Sequence, residues 1–427
     1  MKKIIIFTIV TLFAFTDVIA QVESIVPEKV GVSSNRIERI SELSKAYLDD
    51  EKVAGIATII SRNGKIVYAK AFGKKGIDDS RKLEIDDLFR IYSMTKPIVA
   101  VAAMQLYEKG KFHLNDPISK FLPELKDLNV MDENGNLTKN NSEITMQQLL
   151  THTAGFSYGF SDSKVDKEYS KAELWKSKDS NDFIKRVAAL PLHYKPGERW
   201  HYSIAVDLTG IIIERISGIG LDEYLELNIF KPLGMIDTFF EVPRNKKNRF
   251  LPNHYYDYKE RDLKVVQETK EKFNAMSNYE DVAFYSGGGG LVSTAMDYMM
   301  FMEALQNGGS LNGNRIISPK ILKYMTKDHL SGSLEKKGGS GENPTNEMNN
   351  NGSGFGLGFG LVTNSVNKSV IGSDGTYSWG GAAGTVFWID PVENISVVSM
   401  IQLMSSPWKL REDLKVAIYQ ALDQVYE

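Results

Sequence analysis

Apolar and polar positions along this chain follow two rhythms, and the change from one to the other divides it. Residues 35–49 carry Ile37, Ile40, Leu43 and Tyr47 at helical spacing behind Ser33-Ser34, two residues that cap helices well. Residues 56–61 and 65–71 are short apolar runs that predict two strands. Asn63-Gly64 lies between them, and both residues tolerate the positive φ that a tight hairpin demands. From Ser93 the spacing turns helical again, with Ile98, Val99, Ala102, Ala103, Leu106 and Tyr107 on one face and Gly110 at the end. Pro97 falls in the first turn, where its missing N–H does little harm. Helical patterns dominate to about residue 281, with Thr145 opening a short helix through Leu150, then apolar stretches at 204–217 and 221–229. Thr294, after the glycine run 287–290, caps a helix through Gln306. Strand signals return at 384–389 and 395–401 around the turn 390–394, and a last helix is predicted over 408–425. The simplest assembly is one sheet built from both ends of the chain, flanked by the terminal helices, with a helical region inserted. Residues 331–354, rich in Gly, Asn, Ser and Lys, predict an exposed surface loop.

Residues 1–20 break this pattern. Lys2 and Lys3 precede an apolar run over 4–15, and Val18-Ile19-Ala20 offers small residues at peptidase-reading positions, so a signal peptide cleaved after Ala20 is expected. That places the mature chain, 21–427, in the periplasm or outside the cell, with no transmembrane helix. The absence of cysteine excludes disulfides and thiolate metal sites, so a core must hold the fold. A formal net charge of −3 over 427 residues gives no argument for nucleic acid or an anionic membrane.

Ser93-Met94-Thr95-Lys96 then acquires chemical meaning. A serine and a lysine three apart on a helix share a face. A serine hydroxyl at its own pKa is a poor nucleophile, and a desolvated lysine amine beside it can activate it. A four-residue pattern recurs by chance, so its partners decide. Two further patterns follow in order: Tyr202-Ser203-Ile204, preceded by Pro196-Gly197-Glu198-Arg199-Trp200, and Trp379-Gly380-Gly381-Ala382. Leu149-Leu150-Thr151-His152-Thr153-Ala154-Gly155, Lys231-Pro232-Leu233-Gly234-Met235 and Gly288-Gly289-Gly290-Leu291-Val292-Ser293-Thr294 are additional landmarks.

Together these segments resemble the serine β-lactamase and penicillin-binding-protein-like superfamily, above all class C β-lactamases and the esterases related to them. The resemblance spans nearly all of the mature chain. It implies a β-lactamase-like α/β (α+β) fold: an antiparallel sheet from about 21–92 and 285–427, flanked by the terminal helices, and a mostly helical region over about 93–284. It also implies an acyl-enzyme mechanism without cofactor or metal. Ser93 is the implied nucleophile, Lys96 and Tyr202 the general base pair, and the backbone N–H groups of Ser93 and Ala382 the oxyanion hole. Gly380 and Gly381 let the strand backbone approach substrate.

Two departures shift the expected substrate. The third motif of many β-lactamases and peptidases begins with lysine, here Trp379, and class C β-lactamases place asparagine where Ile204 stands. Without that cation and that amide donor, penicillins should bind poorly, whereas the related esterases share the Trp-Gly-Gly form. Hydrolysis of a small-molecule carboxylic ester is therefore the expected activity. A β-lactamase or D-amino-acid peptidase acting on cell-wall peptides is the rival, and a non-catalytic wall-fragment binder the third reading. Tyr377 is a further candidate substrate contact, because aromatic side chains commonly line such pockets. His152 is expected to be a structural hydrogen-bonder. His193 and His201, eight apart, lack the i, i+4 spacing of a helical zinc site, so no metal is expected there.

Overall fold

A computed structural model describes residues 22–267, 279–330 and 352–426. The expected signal segment therefore lies outside the described residues, as does 331–351 of the expected loop.

The strands form an eight-stranded antiparallel sheet. In chain order they are β1 (Gly55–Arg62), β2 (Lys65–Gly76), β3 (Asp79–Lys82), β4 (Ser353–Phe355), β5 (Gly360–Val362), β6 (Tyr377–Gly380), β7 (Val386–Asp390) and β8 (Ile395–Met400). Their spatial order is β4-β5-β6-β7-β8-β1-β2-β3. The two ends of the chain meet where β1 pairs with β8, with Ala57 opposite Met400 and Arg62 opposite Ile395. Asn63 and Gly64 take φ of 53° and 73° and close the β1–β2 hairpin.

Alternation along the central strands gives the sheet two apolar faces. Ile56, Ile60, Val397 and Trp388 pack beneath the terminal helices α1 (Arg39–Asp49) and α6 (Leu410–Tyr419) through Ile40, Tyr47, Leu414 and Ile418. Ala57, Ile59, Phe387 and Val398 face the larger core. That core includes helices α2 (Thr95–Glu108), α4 (Ala205–Ser217) and α5 (Ala295–Gln306), with α3 (Lys164–Lys171) at its edge through Val165 and Tyr169. The predicted caps form: Ser33, Thr145 and Thr294 each accept a backbone N–H from the first turn of their helices, an arrangement worth about 1 kcal/mol apiece.

Three differences from the sequence reading have physical reasons. The helical region also holds small β pairs, Asn129–Met131 with Leu137–Lys139 and His254–Asp257 with Asp262–Val265. The first closes on a five-residue loop, 132–136, in which Gly135 takes φ 86°. The last helix stops at Tyr419 because the chain beyond it binds the N-terminal segment: Ser33 N–H donates to Ala421 O at 2.8 Å and Asp423 N–H to Gly31 O at 3.0 Å. Ser353 and Gly354, placed at the end of the expected loop, instead open β4. Among the described residues, no helix is long and apolar enough to cross a membrane.

Candidate active site

Ser93 lies in a single 3-10 turn, Tyr92–Met94, that leads into α2. Tyr92 adopts φ 42°, left-handed backbone that a bulky residue enters only when its surroundings enforce it. Those surroundings are visible: Asn253 Nδ2 donates to Tyr92 Oη at 3.0 Å, Tyr298 Oη donates to Met94 O at 3.0 Å, and Leu291 N–H donates to Thr95 Oγ1 at 3.1 Å. The turn is thus pinned immediately before and after Ser93.

Lys96, one turn on, is 1% exposed. Its Nζ donates to Gly288 O at 2.6 Å and stands 3.3 Å from Ser93 Oγ. The rings of Tyr202 and Tyr158 lie 4.5 and 5.1 Å from it. Burial lowers its pKa from 10.5 to about 7, opposed by the charge of Asp207. A fraction of this lysine is therefore the free amine at neutral pH.

Tyr202 follows a loop tied to the 152–155 segment, where His201 N–H donates to His152 O at 2.8 Å and Gly197 N–H to Thr153 O at 2.7 Å. Tyr202 Oη donates to Ser93 Oγ at 2.6 Å. Burial pushes its phenol above the ordinary tyrosine value, and the bond to Ser93 opposes that shift. The ring rests against Trp379, Tyr158 and His152 at 5.6, 5.1 and 4.9 Å. His152 is fully buried at φ 55°, and its Nδ1 accepts the Ser203 N–H at 3.3 Å. It buttresses Tyr202 from behind, as a structural hydrogen-bonder should.

Trp379 and Gly380 end β6, Gly381 and Ala382 form the turn that follows, and all four join Ser93 and Tyr202 in the wall of a cleft of about 730 Å3. A Cβ on Gly381 would clash with Ile91 O and Thr385 Oγ1, so only glycine fits where this turn meets the Ser93 segment. Arg411, from α6, donates to Gly381 O at 3.2 Å and Thr385 O at 3.1 Å and clamps the turn. Tyr158, Phe160, Val370, Ile401, Pro407 and Trp408 give the cleft an apolar lining.

Two expected contacts fall elsewhere. Tyr377 sits two residues back along β6, about 7 Å from Trp379 at strand rise, and packs edge-on against Phe359 in the core. Ile204 is fully buried at the start of α4. Neither lines the cleft.

The structure adds Asp207, which the motifs did not point to. It is fully buried in the first turn of α4. Its Oδ1 accepts Ser286 Oγ at 2.5 Å and Gly288 N–H at 2.9 Å, and its Oδ2 accepts Tyr158 Oη at 3.3 Å. It thereby orients the glycine whose carbonyl holds Lys96. One signal was available: Asp207 is the sole charge in the apolar stretch 204–213.

Comparison with known proteins agrees with this architecture. The beta-lactamase family model matches residues 40–421. A protein of Mycobacterium tuberculosis is 32% identical over 358 residues, 82% of this chain and 86% of the relative. Esterase EstB of Burkholderia gladioli is 27% identical over 399 residues, covering 89% and 94%. The solved structure of EstCE1, described as a hydrolase with promiscuous acyltransferase activity, superposes with a TM-score of 0.76 at 24% identity, covering 90% of this chain and 99% of that one. The chain belongs to the beta-lactamase family and is a serine hydrolase of that fold.

Proposed function

We propose that the protein hydrolyses neutral carboxylic esters through a covalent acyl-Ser93 intermediate. The observation that carries this reading is the convergence of Tyr202 Oη and Lys96 Nζ on Ser93 Oγ, at 2.6 and 3.3 Å. Ser93 Oγ attacks the ester carbonyl while its proton passes to the Tyr202–Lys96 pair. With its high pKa, the phenol cannot act as a base alone, so the free amine of Lys96 supplies the basicity. The tetrahedral oxyanion is received by the backbone N–H groups of Ser93 and Ala382, which both line the cleft. Collapse expels the alcohol, which takes the proton back from the pair. Water, deprotonated by the same pair, then attacks the acyl carbonyl and releases the acid.

Ester preference is supported by Trp379, an uncharged residue at the head of the third motif, and by the apolar lining of the cleft. The likeness to Esterase EstB points the same way. A second reading, hydrolysis of a lactam or D-amino-acid peptide bearing a carboxylate, draws on Lys368, Lys409, Arg411 and Lys415 in the wall of the same cleft. Turnover of short-chain nitrophenyl esters against a chromogenic cephalosporin separates the two. Ester hydrolysis should dominate; faster cephalosporin turnover would favour the second. The Lys2-Lys3 start and following apolar run support secretion or a periplasmic location.

A further inference from the structure

Among the described residues, one group of His and Asp side chains brings three possible metal-ligating atoms together: those of Asp166, His193 and His201 all lie within 4.8 Å of one another. Asp166 comes from the first turn of α3, and the two histidines from the segment running into Tyr202. The sequence did not reveal the group because its members meet through loop packing and not along one helix face.

We propose that Asp166, His193 and His201 form a binding site for a divalent transition ion of the zinc type. The donor set matches the chemistry. Two imidazoles and one carboxylate, with no thiolate, suit zinc and its first-row neighbours. The His193 Nδ1 atom is buried and has no hydrogen-bond partner, an unmet demand that a metal would satisfy. The His193 and His201 rings meet edge to face, with centroids 4.9 Å apart and planes at 77°. Tetrahedral zinc at about 2.0–2.2 Å from each donor needs donor atoms about 3.3 Å apart, so binding would draw the three donors in from their present spacing within 4.8 Å. Ser157 Oγ lies 3.2 Å from His201 Nε2 in a hydrogen bond, which an ion bound through that nitrogen would displace.

The surroundings are those of a prepared site. Asp166 is fully buried and is held by Ser157 Oγ, Ser161 Oγ and Ser161 N–H, the last at 2.9 Å, which fixes the carboxylate as outer-shell partners do. His201 is 3% exposed, whereas His193 is partly open to solvent and gives the ion a way in. The bound ion would tie α3 to the segment that ends at Tyr202. Its role is to hold that segment; Ser93, Lys96 and Tyr202 already complete the proposed chemistry without it.

The test uses tag-free, full-length protein equilibrated with Zn2+, desalted and analysed for metal. Wild type should retain one zinc per chain and melt at a higher temperature than chelator-treated protein. His193→Ala, at a partly exposed position that should not disrupt the fold, should lose both the zinc and the melting shift. His113→Ala, an exposed histidine elsewhere, should keep them. Cobalt(II) provides a measurement that needs no variant: a four-coordinate visible spectrum is expected from wild type. Wild type without retained zinc, His193→Ala retaining as much as wild type, or a spectrum of six-coordinate aqueous cobalt would each overturn the proposal.

Discussion

Asp207 holds Lys96 in place through Gly288, which lies between them. Its carboxylate accepts the Gly288 N–H at 2.9 Å, and the carbonyl of the same residue accepts the Lys96 Nζ at 2.6 Å. The ammonium charge therefore feels an anion that also fixes the geometry of its main hydrogen bond.

This relationship sets the pH behaviour. If the free amine of Lys96 is the working form, kcat/KM should rise through an acid limb with an apparent pKa of about 7. Asp207→Asn keeps the shape and removes the charge that holds the Lys96 pKa up. Its acid limb should move to lower pH in a kcat/KM profile; an unmoved or raised limb would contradict the relay.

The same shift predicts a stability trend. Between about 7 and 10.5 the unfolded chain carries a proton on Lys96 that the folded protein has lost. The contribution of this group to unfolding free energy therefore rises with pH across that window, and below it the folded state bears the full cost of burying the ammonium. Denaturant unfolding at pH 7 and 9 should show a steeper rise in wild type than in Lys96→Met; equal slopes would mean that Lys96 is not depressed.

Tyr202→Phe removes the hydroxyl bonded to Ser93 and preserves the ring packing on Trp379 and His152. Ester kcat/KM should fall by about 10²–10⁴-fold with the melting temperature little changed. Activity within a few-fold of wild type would leave Lys96 to act without the phenol.

Much of this arrangement was readable from residue order, and the unread parts share a cause. Caps at Ser33, Thr145 and Thr294 and the Asn63-Gly64 hairpin act within a few residues of themselves, so local pattern reveals them. That both ends of the chain build one sheet was inferable because apolar strand signals occur at both ends and helical ones between; which strands pair, β1 with β8, was not. Ser93, Lys96, Tyr202 and Trp379 were singled out through motifs; Ser93, Tyr202 and Trp379 line one cleft, and Lys96 lies buried behind Ser93. Asp207 and the Asp166–His193–His201 group depend on contacts between distant segments, which no spacing rule records. Tyr377 went astray for a related reason: residue type suggested a pocket wall, but its depth along β6 decided that it joins the core.

Gly381→Ala tests the turn that carries Ala382. The added methyl meets Ile91 O and Thr385 Oγ1, displacing the backbone that should present an N–H to the oxyanion. Loss of one such donor costs about 10²–10³-fold in kcat, and KM for a nitrophenyl ester should change far less. A fall in KM-dependent binding alone would place Ala382 outside the chemistry.

The central claim is that Ser93 becomes acylated. Intact-protein mass spectrometry after brief mixing with a nitrophenyl ester, or after treatment with a fluorophosphonate, reads this directly. Wild type should gain the mass of one acyl or phosphonyl group, mapped to the peptide containing Ser93, and Ser93→Ala should gain none. An adduct on Ser93→Ala, or an unlabelled wild type that still turns over ester, would contradict the account.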